Sequence, residues 1–215
     1  MYDIILFDLD GTLTKSEIGI INAIIYALSK FDISIDDRDE LKKFIGPPLI
    51  NSFIDYFGFT EERAKEAVAY CQEYMRNKGV YEAPLYEGIR DVLEKLNSNG
   101  KSVFVATSKP EEFANKIVRH LQVDRFFEGV VGANLDGTRT DKAEVISLLL
   151  DKNSIADKSK VVMVGDREHD IFGAKSIGID SIGVLYGYGD MEELTLAGAT
   201  HIVKTPEELV GIILG

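Results

Sequence analysis

Two carboxylates near the start of the chain are the first candidates for chemistry. Asp8 and Asp10 follow an apolar run, residues 4–7, that predicts a short strand buried on both faces. Side chains two apart in a strand point the same way, so both carboxylates could face one small volume. Neighbouring carboxylates repel, so a cation lies between them or one holds a proton. The alternative is that Asp10 and Gly11 form only a turn.

A second group of polar residues follows another predicted buried strand, residues 102–106. Thr107 and Ser108 offer hydroxyl and backbone donors just before a predicted helix, an arrangement that suits an anion but also an ordinary helix cap. Lys109 comes next in the chain. Lys142 lies near the start of a later helix, where its charge opposes the helix dipole. That unfavourable position indicates either an acidic partner or a solvated lysine.

The third group lies after the predicted strand 160–164. Asp166 ends the predicted strand, and Asp170 is four residues further on, where one helical turn returns it to the same side. Oxygen ligands of this kind, beside the first carboxylate pair, are those that Mg²⁺ requires. His169 is expected to point away from both and to be a surface residue.

Strands that alternate with helices over most of the chain predict an α/β fold with a doubly wound parallel sheet. Residues 15–82 instead show only helical patterns, so they are expected to form an all-helical insertion. The α/β core would then comprise residues 1–14 and 83–215. Ligands bind beyond the carboxyl ends of the strands in such sheets, and the three polar groups all follow strands. The sequence therefore predicts one site at this edge.

Composition and charge narrow the classes of partner. Of the 215 residues, 45% are hydrophobic and 28% charged, as expected for a globular protein with a sizeable core. The 36 acidic and 24 basic side chains give a formal net charge of −12, which disfavours nucleic acids and anionic membranes as partners. The single cysteine excludes an intramolecular disulfide, and no secretion signal or membrane span is recognised, so a cytoplasmic location is expected. Oligomeric state stays open between a monomer and a weak dimer.

Four stretches together resemble the motifs of the haloacid dehalogenase-like hydrolase superfamily. They are residues 8–12, residues 107–109, Lys142 and residues 165–170, in the order that the family has, and the resemblance spans residues 3–182. The helical insertion is similar to the cap of the phosphoglycolate phosphatase-like branch (the C1 type). The resemblance implies a Rossmann-like core, a helical cap and an enzyme that hydrolyses a small phosphorylated metabolite.

The resemblance also implies a role for each motif residue. Asp8 would attack phosphorus and form an aspartyl-phosphate, and Asp10 would act as acid and then as base. Lys142 would offset the charge of the phosphoryl group. Mg²⁺ would be bound by Asp8, Asp10 through its backbone carbonyl, Asp166 and Asp170. The positions implied for phosphate or substrate binding are Gly11, Thr107, Ser108, Lys109, Gly46 and Pro47.

Several activities fit this pattern. Phosphoglycolate phosphatases and 5′-nucleotidases share the motifs, and residues 44–49 resemble a loop of a cytosolic pyrophosphatase. A phosphomutase would use the same two aspartates. A dehalogenase is disfavoured because its chemistry needs neither Asp10 nor a metal. From another class, a phospho-accepting receiver domain also pairs an aspartate with Mg²⁺ and a lysine, but such domains are shorter and lack a helical insertion.

Overall fold

A computed structural model describes residues 1–45 and 48–215. The chain divides into two compact units, one formed by Met1–Lys15 with Leu85–Gly215 and the other by Ser16–Pro84. Across the described ranges, no helix combines the length and the apolar character needed to cross a bilayer.

The first unit is built on a parallel sheet with the strand order β3-β2-β1-β4-β5-β6. The order reverses between β1 and β4, and the crevice at such a reversal is where open α/β sheets bind ligands. Asp8 follows β1 and Asp166 follows β4. The strands are β1 (Ile4–Phe7), β2 (Ser102–Pro110), β3 (Gly129–Ala133), β4 (Val161–Gly165), β5 (Asp180–Val184) and β6 (His201–Val203).

Helices connect the strands of this unit, so the α/β class predicted from the sequence is confirmed. These helices are α4 (Ile89–Ser98), α5 (Glu111–His120), α6 (Lys142–Lys152), α7 (Glu168–Ile177), α8 (Met191–Ala197) and α9 (Pro206–Leu214), with short 3₁₀ turns at Asp124–Phe126 and Lys158–Lys160.

Alternate residues of the central strands face two separate apolar layers. Leu6, Phe104 and Met163 lie in one cluster with residues of α6 such as Leu149. Ile5, which points to the opposite face, is also fully buried. A strand that is covered on both faces has a continuous apolar sequence. Residues 4–7 therefore predict β1 from the sequence alone.

Strand β2 is longer than the sequence indicates. Ala106 pairs with Val131 and Pro110 with Ala133, so residues 107–109 of β2 lie opposite Gly132 alone. Such a bulge bends the strand and changes the direction of its side chains, and bulges are frequent next to active sites. The Thr107–Lys109 stretch is therefore an irregular strand end, not the loop or helix cap that the sequence allowed.

Among the described residues of the second unit, the regular elements are all helices, as predicted, and turns connect them. It contains α1 (Glu17–Ser29), α2 (Leu49–Phe57) and α3 (Glu61–Asn77), with 3₁₀ segments at Arg38–Phe44 and Gly79–Tyr81. Aromatic rings fill its interior, where Phe53 stacks on Phe59 at 5.7 Å and meets Phe44 edge-on at 5.8 Å.

Candidate active site

Three carboxylates from distant parts of the chain meet beyond the ends of β1 and β4. Asp8, Asp166 and Asp170 each place an oxygen within 4.8 Å of the others. Asp166 and Asp170 are almost completely buried, and Asp8 is 9% exposed. The structure therefore brings together three of the residues that the sequence places at this edge of the sheet.

Lys142 is the cation that this cluster contacts. Its Nζ lies 2.9 Å from Asp8 Oδ1 and 2.8 Å from Asp170 Oδ1, and it donates to the backbone carbonyl of Ala106 at 3.1 Å. The Asp141 side chain caps α6, so Lys142 is the first residue of the helix. Its position against the helix dipole is explained by these two carboxylates, which resolves the alternatives left by the sequence.

Burial and mutual repulsion shift the pKa values of this cluster. Burial raises the pKa of Asp166 well above its ordinary value, and the nearby charges of Asp170 and Asp8 raise it further. Burial also raises the pKa of Asp8, although Lys142 opposes the effect. Burial alone would lower the pKa of Lys142, but Asp170 and Asp8 outweigh it and raise that pKa. One ammonium thus balances only part of the carboxylate charge.

Two features show that these residues suit a divalent cation. Asp8 Oδ1 is within ion-pair distance of Lys142, but the two groups are not aligned as a hydrogen bond, and no described residue donates one to this buried oxygen. An unsatisfied carboxylate oxygen beside two further carboxylates is the donor set of a hard cation. A divalent ion would also remove the repulsion that raises the pKa of Asp166.

Asp166 is held in place by backbone and side-chain donors. Its Oδ1 accepts from the Thr12 hydroxyl at 3.1 Å, and its Oδ2 accepts from the backbone N–H of Tyr188 at 2.9 Å. Gly11 has a φ of +84°, and a Cβ at this position would overlap the Asp166 carboxylate. The backbone after β1 can therefore approach Asp166 this closely only with glycine at position 11.

Asp10 and Lys109 form a separate pair beside the carboxylate cluster. Lys109 Nζ lies 3.1 Å from Asp10 Oδ1 and 2.9 Å from Oδ2, with the ammonium largely buried. The Asp10 side chain is therefore not one of the three grouped carboxylates. The sequence assigned Lys109 to phosphate binding, whereas its ammonium contacts Asp10 in this structure.

Among the described residues, Thr107 is the hydroxyl residue whose side chain stabilises the charged form of Asp8. A hydrogen bond from the Thr107 side chain favours the charged form of Asp8, and its hydroxyl accepts from the backbone N–H of Lys109 at 3.2 Å. Ser108 is half-buried. The bulge in β2 decides which hydroxyl faces the cluster, and a strand period alone does not reveal it. Gly46 and Pro47, also predicted to contact substrate, lie outside the described residues.

Tyr188 contributes to the site although no motif of the sequence predicts it. Its backbone N–H reaches Asp166 from the loop after β5, which lies on the same edge of the sheet. The signal available in the sequence was a tyrosine between two glycines, at positions 187 and 189, directly after a strand.

The raised pKa of Asp166 predicts how metal-free stability depends on pH. The native state holds this proton more tightly than the unfolded chain, so the contribution of Asp166 to stability falls as pH rises from about 4 through its folded pKa. Asp166→Asn should therefore raise the melting temperature in EDTA at pH 7, and it should reduce any stabilisation by an added divalent cation. Thermal melts at several pH values, with exposed Asp151→Asn as control, measure both effects. An unchanged or lower melting temperature of Asp166→Asn in EDTA would contradict this interpretation.

Comparison with known proteins gives the family. The model of the haloacid dehalogenase-like hydrolases matches residues 5–184. A solved structure from Clostridium difficile has a TM-score of 0.91 and 50% sequence identity, and the match covers 99% of this chain and 98% of that one.

Two curated relatives carry different names. A 5′-nucleotidase from Pseudomonas aeruginosa is 46% identical over 93% of this chain and 90% of its own length. A tyrosine-protein kinase from Mycobacterium tuberculosis is 36% identical over 93% of this chain and 67% of its own length. The carboxylate cluster around Asp8 is consistent with the match to the family model. The chain belongs to the haloacid dehalogenase-like hydrolases and is a phosphatase.

Proposed function

We propose that this phosphatase hydrolyses a small phosphate monoester with Mg²⁺ and that Asp8 is its nucleophile. The observation that carries the proposal is the Asp8 carboxylate, which has one oxygen without a hydrogen bond and lies against Lys142 and two further carboxylates. A buried carboxylate in contact with a cation is suited to attack an electrophilic phosphorus.

In the first step, an oxygen of Asp8 attacks phosphorus and the bond to the leaving oxygen breaks. That oxygen receives the electron pair of the bond and a proton from Asp10. In the second step, Asp10 takes a proton from a water molecule whose oxygen attacks the same phosphorus. The Asp8–phosphorus bond breaks, which releases inorganic phosphate and restores both carboxyl groups to their starting states.

Asp10 has to leave its ion pair before it can transfer a proton. Lys109 occupies both oxygens of Asp10 in this structure. We infer that a bound phosphoryl group competes for the Lys109 ammonium and so releases Asp10, which takes up a proton from solvent before the first step. This competition reconciles the contact with the phosphate-binding role expected for Lys109. Gly11, Thr107 and Ser108 stay proposed for phosphate binding and Lys142 for charge stabilisation; the contacts of Thr107 and Lys142 with Asp8 and of Gly11 with Asp166 support this.

The residues proposed to hold the cation are Asp8, Asp166 and Asp170, with the backbone carbonyl of Asp10. When bound, Mg²⁺ would neutralise negative charge on the phosphoryl oxygens. Asp8, Asp166 and Asp170 fit this task because a single lysine leaves their combined charge unbalanced. With Mg²⁺ bound, the formal charge of these three carboxylates and Lys142 would be about zero instead of −2, and this local neutralisation would let a protein with a net charge of −12 accept an anionic substrate.

We further propose nucleoside 5′-monophosphates as the substrate class, because the relative named 5′-nucleotidase is 46% identical over 93% of the chain. The unit Ser16–Pro84 would act as a cap that determines which leaving group is accepted, with its two connections to the core after Lys15 and before Leu85. A cytoplasmic location agrees with the single, buried cysteine.

A substrate screen tests the proposed activity. Wild-type protein is assayed with Mg²⁺ and with EDTA against nucleoside monophosphates, phosphoglycolate, pyrophosphate and sugar phosphates. Conversion of a sugar phosphate to its isomer would indicate a phosphomutase, and preference for pyrophosphate would indicate a pyrophosphatase. ATP with a tyrosine peptide tests the activity named for the mycobacterial relative. Trapped phosphate without turnover would favour the receiver-like alternative.

Asp10→Asn should slow hydrolysis of p-nitrophenyl phosphate by about 10²–10⁴-fold, because the amide cannot carry a proton to or from the reacting oxygens. This ester has a good leaving group, so the rate of the first step should fall less than the rate of the second step. Phosphorylated enzyme should therefore accumulate. Stopped-flow burst amplitudes measure the accumulation. Asp136→Asn is the matched control, since Asp136 lies in a second Asp-Gly-Thr sequence that forms an exposed turn. Equal turnover in Asp10→Asn and wild type would exclude Asp10 as the acid and base.

A further inference from the structure

Helix α7 begins directly after Asp166 with a residue that cannot cap it. The first turn of a helix leaves backbone N–H groups without partners in the helix, and a side-chain oxygen normally accepts a hydrogen bond from one of them. The capping position of α7 is Arg167, whose guanidinium has donors but no acceptor. The N–H of Glu168 therefore needs an acceptor from another element.

Glu193 of helix α8 supplies that acceptor. Its Oε1 accepts from the backbone N–H of Glu168 at 2.8 Å and from Arg167 Nε at 2.7 Å. Glu193 and Arg167 are each about one-quarter exposed or less, so water screens this contact only in part. Glu193 is itself fixed, because Asp190 accepts its backbone N–H at 2.8 Å. One carboxylate thus holds both residues that lie between Asp166 and the rest of α7.

The same turn positions Asp170. Its Oδ2 accepts from the backbone N–H of Arg167 at 3.1 Å, while its Oδ1 contacts Lys142. The rotation of the Asp170 carboxylate therefore depends on where the Arg167 backbone lies. Glu193 holds that backbone through the next N–H in the chain, that of Glu168.

The chain between β5 and α8 holds Asp166 as well. A Cβ on Gly187 would lie 2.7 Å from Asp166 Cγ, so this backbone packs directly on the carboxylate. The next N–H, that of Tyr188, donates to Asp166 Oδ2. The segment 187–193 thus contacts Asp166 at one end and the start of α7 at the other.

We propose that Glu193 is a positioning residue for the divalent-cation site and that it acts through the turn joining Asp166 to Asp170. This inference rests on the proposed cation site. Glu193 touches neither of these aspartates directly; it fixes the backbone that carries them. Groups in direct contact with metal ligands typically change metal affinity by about 10–100-fold, and Glu193 fixes the position of such a group, the Arg167 N–H that contacts Asp170.

Binding of Mn²⁺ alone, with no substrate present, tests the proposal. Isothermal titration, with electron paramagnetic resonance of free Mn²⁺ as a second readout, is applied to wild type and three variants. Glu193→Ala removes the acceptor and should weaken Mn²⁺ binding about 10–100-fold. Glu193→Gln keeps an acceptor oxygen for the Glu168 N–H and should recover part of the affinity. Glu192→Ala, a change at the exposed neighbour on α8, should bind as wild type does.

Kinetics with p-nitrophenyl phosphate separate positioning from general loss of structure. For Glu193→Ala, the Mg²⁺ concentration giving half-maximal rate should rise about as much as the Mn²⁺ dissociation constant. At saturating Mg²⁺, the KM for substrate should stay near the wild-type value. A loosened fold alone would lower the melting temperature without this selective shift in metal dependence.

Two results would overturn the inference. If the Glu193→Ala variant binds Mn²⁺ as tightly as wild type, whatever its melting temperature, then Glu193 only joins two helices. Equal losses of affinity in Glu193→Ala and Glu192→Ala would show that the effect is not specific to the contact with Glu168. Failure of wild type to bind Mn²⁺ would instead refute the cation site on which the proposal rests.

Discussion

Asp8→Asn should reduce turnover by roughly 10⁴–10⁶-fold, the scale seen when a covalent nucleophile is removed. The amide has nearly the shape of the carboxylate but cannot attack phosphorus. Lys142 keeps Asp170 as a partner at 2.8 Å, so the variant should remain folded. Because burial raises the pKa of Asp8, loss of its charge does not by itself destabilise the metal-free protein. Steady-state rates with the best substrate of the screen measure the effect.

The control for this variant is again Asp136→Asn, which makes the same chemical change in an exposed turn. Circular dichroism and thermal melts establish that Asp8→Asn is folded. Turnover of folded Asp8→Asn within tenfold of wild type would mean that water attacks the ester directly, and Asp8 would then be a metal ligand only.

Lys142→Met should have the largest effect on stability. It leaves Asp8 and Asp170 buried without the ammonium that both contact. Removal of one partner from a buried ion pair typically costs about 3–5 kcal/mol. We expect the free energy of unfolding in EDTA to fall by about this amount, and turnover to fall by at least about 10²-fold through loss of charge stabilisation. Urea unfolding followed by circular dichroism measures the first effect.

Mg²⁺ provides an internal check on Lys142→Met. A cation that binds only the folded state raises its stability, so part of the loss should be recovered in excess Mg²⁺. Lys152→Met, at the exposed end of the same helix, should unfold as wild type does. If the free energy of unfolding of Lys142→Met in EDTA equals that of wild type, then the carboxylates are protonated and do not need this ammonium.

The sheet was predictable because its signals are local. Continuous apolar runs mark β1 and β4 as strands buried on both faces, and polar residues directly after them identify the edge where ligands bind. The meeting of Asp8 with Asp166 follows from these two facts once β1 and β4 are neighbours. Lys142 could be singled out because a cation in the first turn of a helix is unfavourable without a partner.

The details around that edge depend on contacts that local patterns do not contain. The bulge between Ala106 and Pro110 decides that Thr107 contacts Asp8, and it arises from pairing with β3. The pairing of Lys109 with Asp10 joins residues 99 positions apart. Glu193 lies 25 positions from Glu168, in a helix that looks like an ordinary acidic first turn. Tertiary packing, not propensity, selects these partners.

Acid quenching of Asp10→Asn during turnover of p-nitrophenyl phosphate is the most direct test of the assembled site. Acyl phosphates survive acid long enough for peptide mapping by mass spectrometry, and hydroxylamine removes them. A single phosphoryl group on the peptide that contains Asp8, formed only with Mg²⁺ and absent from Asp8→Asn, is the result expected. A phosphoryl group on another residue of Asp10→Asn would contradict a cation-assisted transfer to this carboxylate. Continued hydrolysis by Asp8→Asn with no phosphorylated enzyme would contradict it as well.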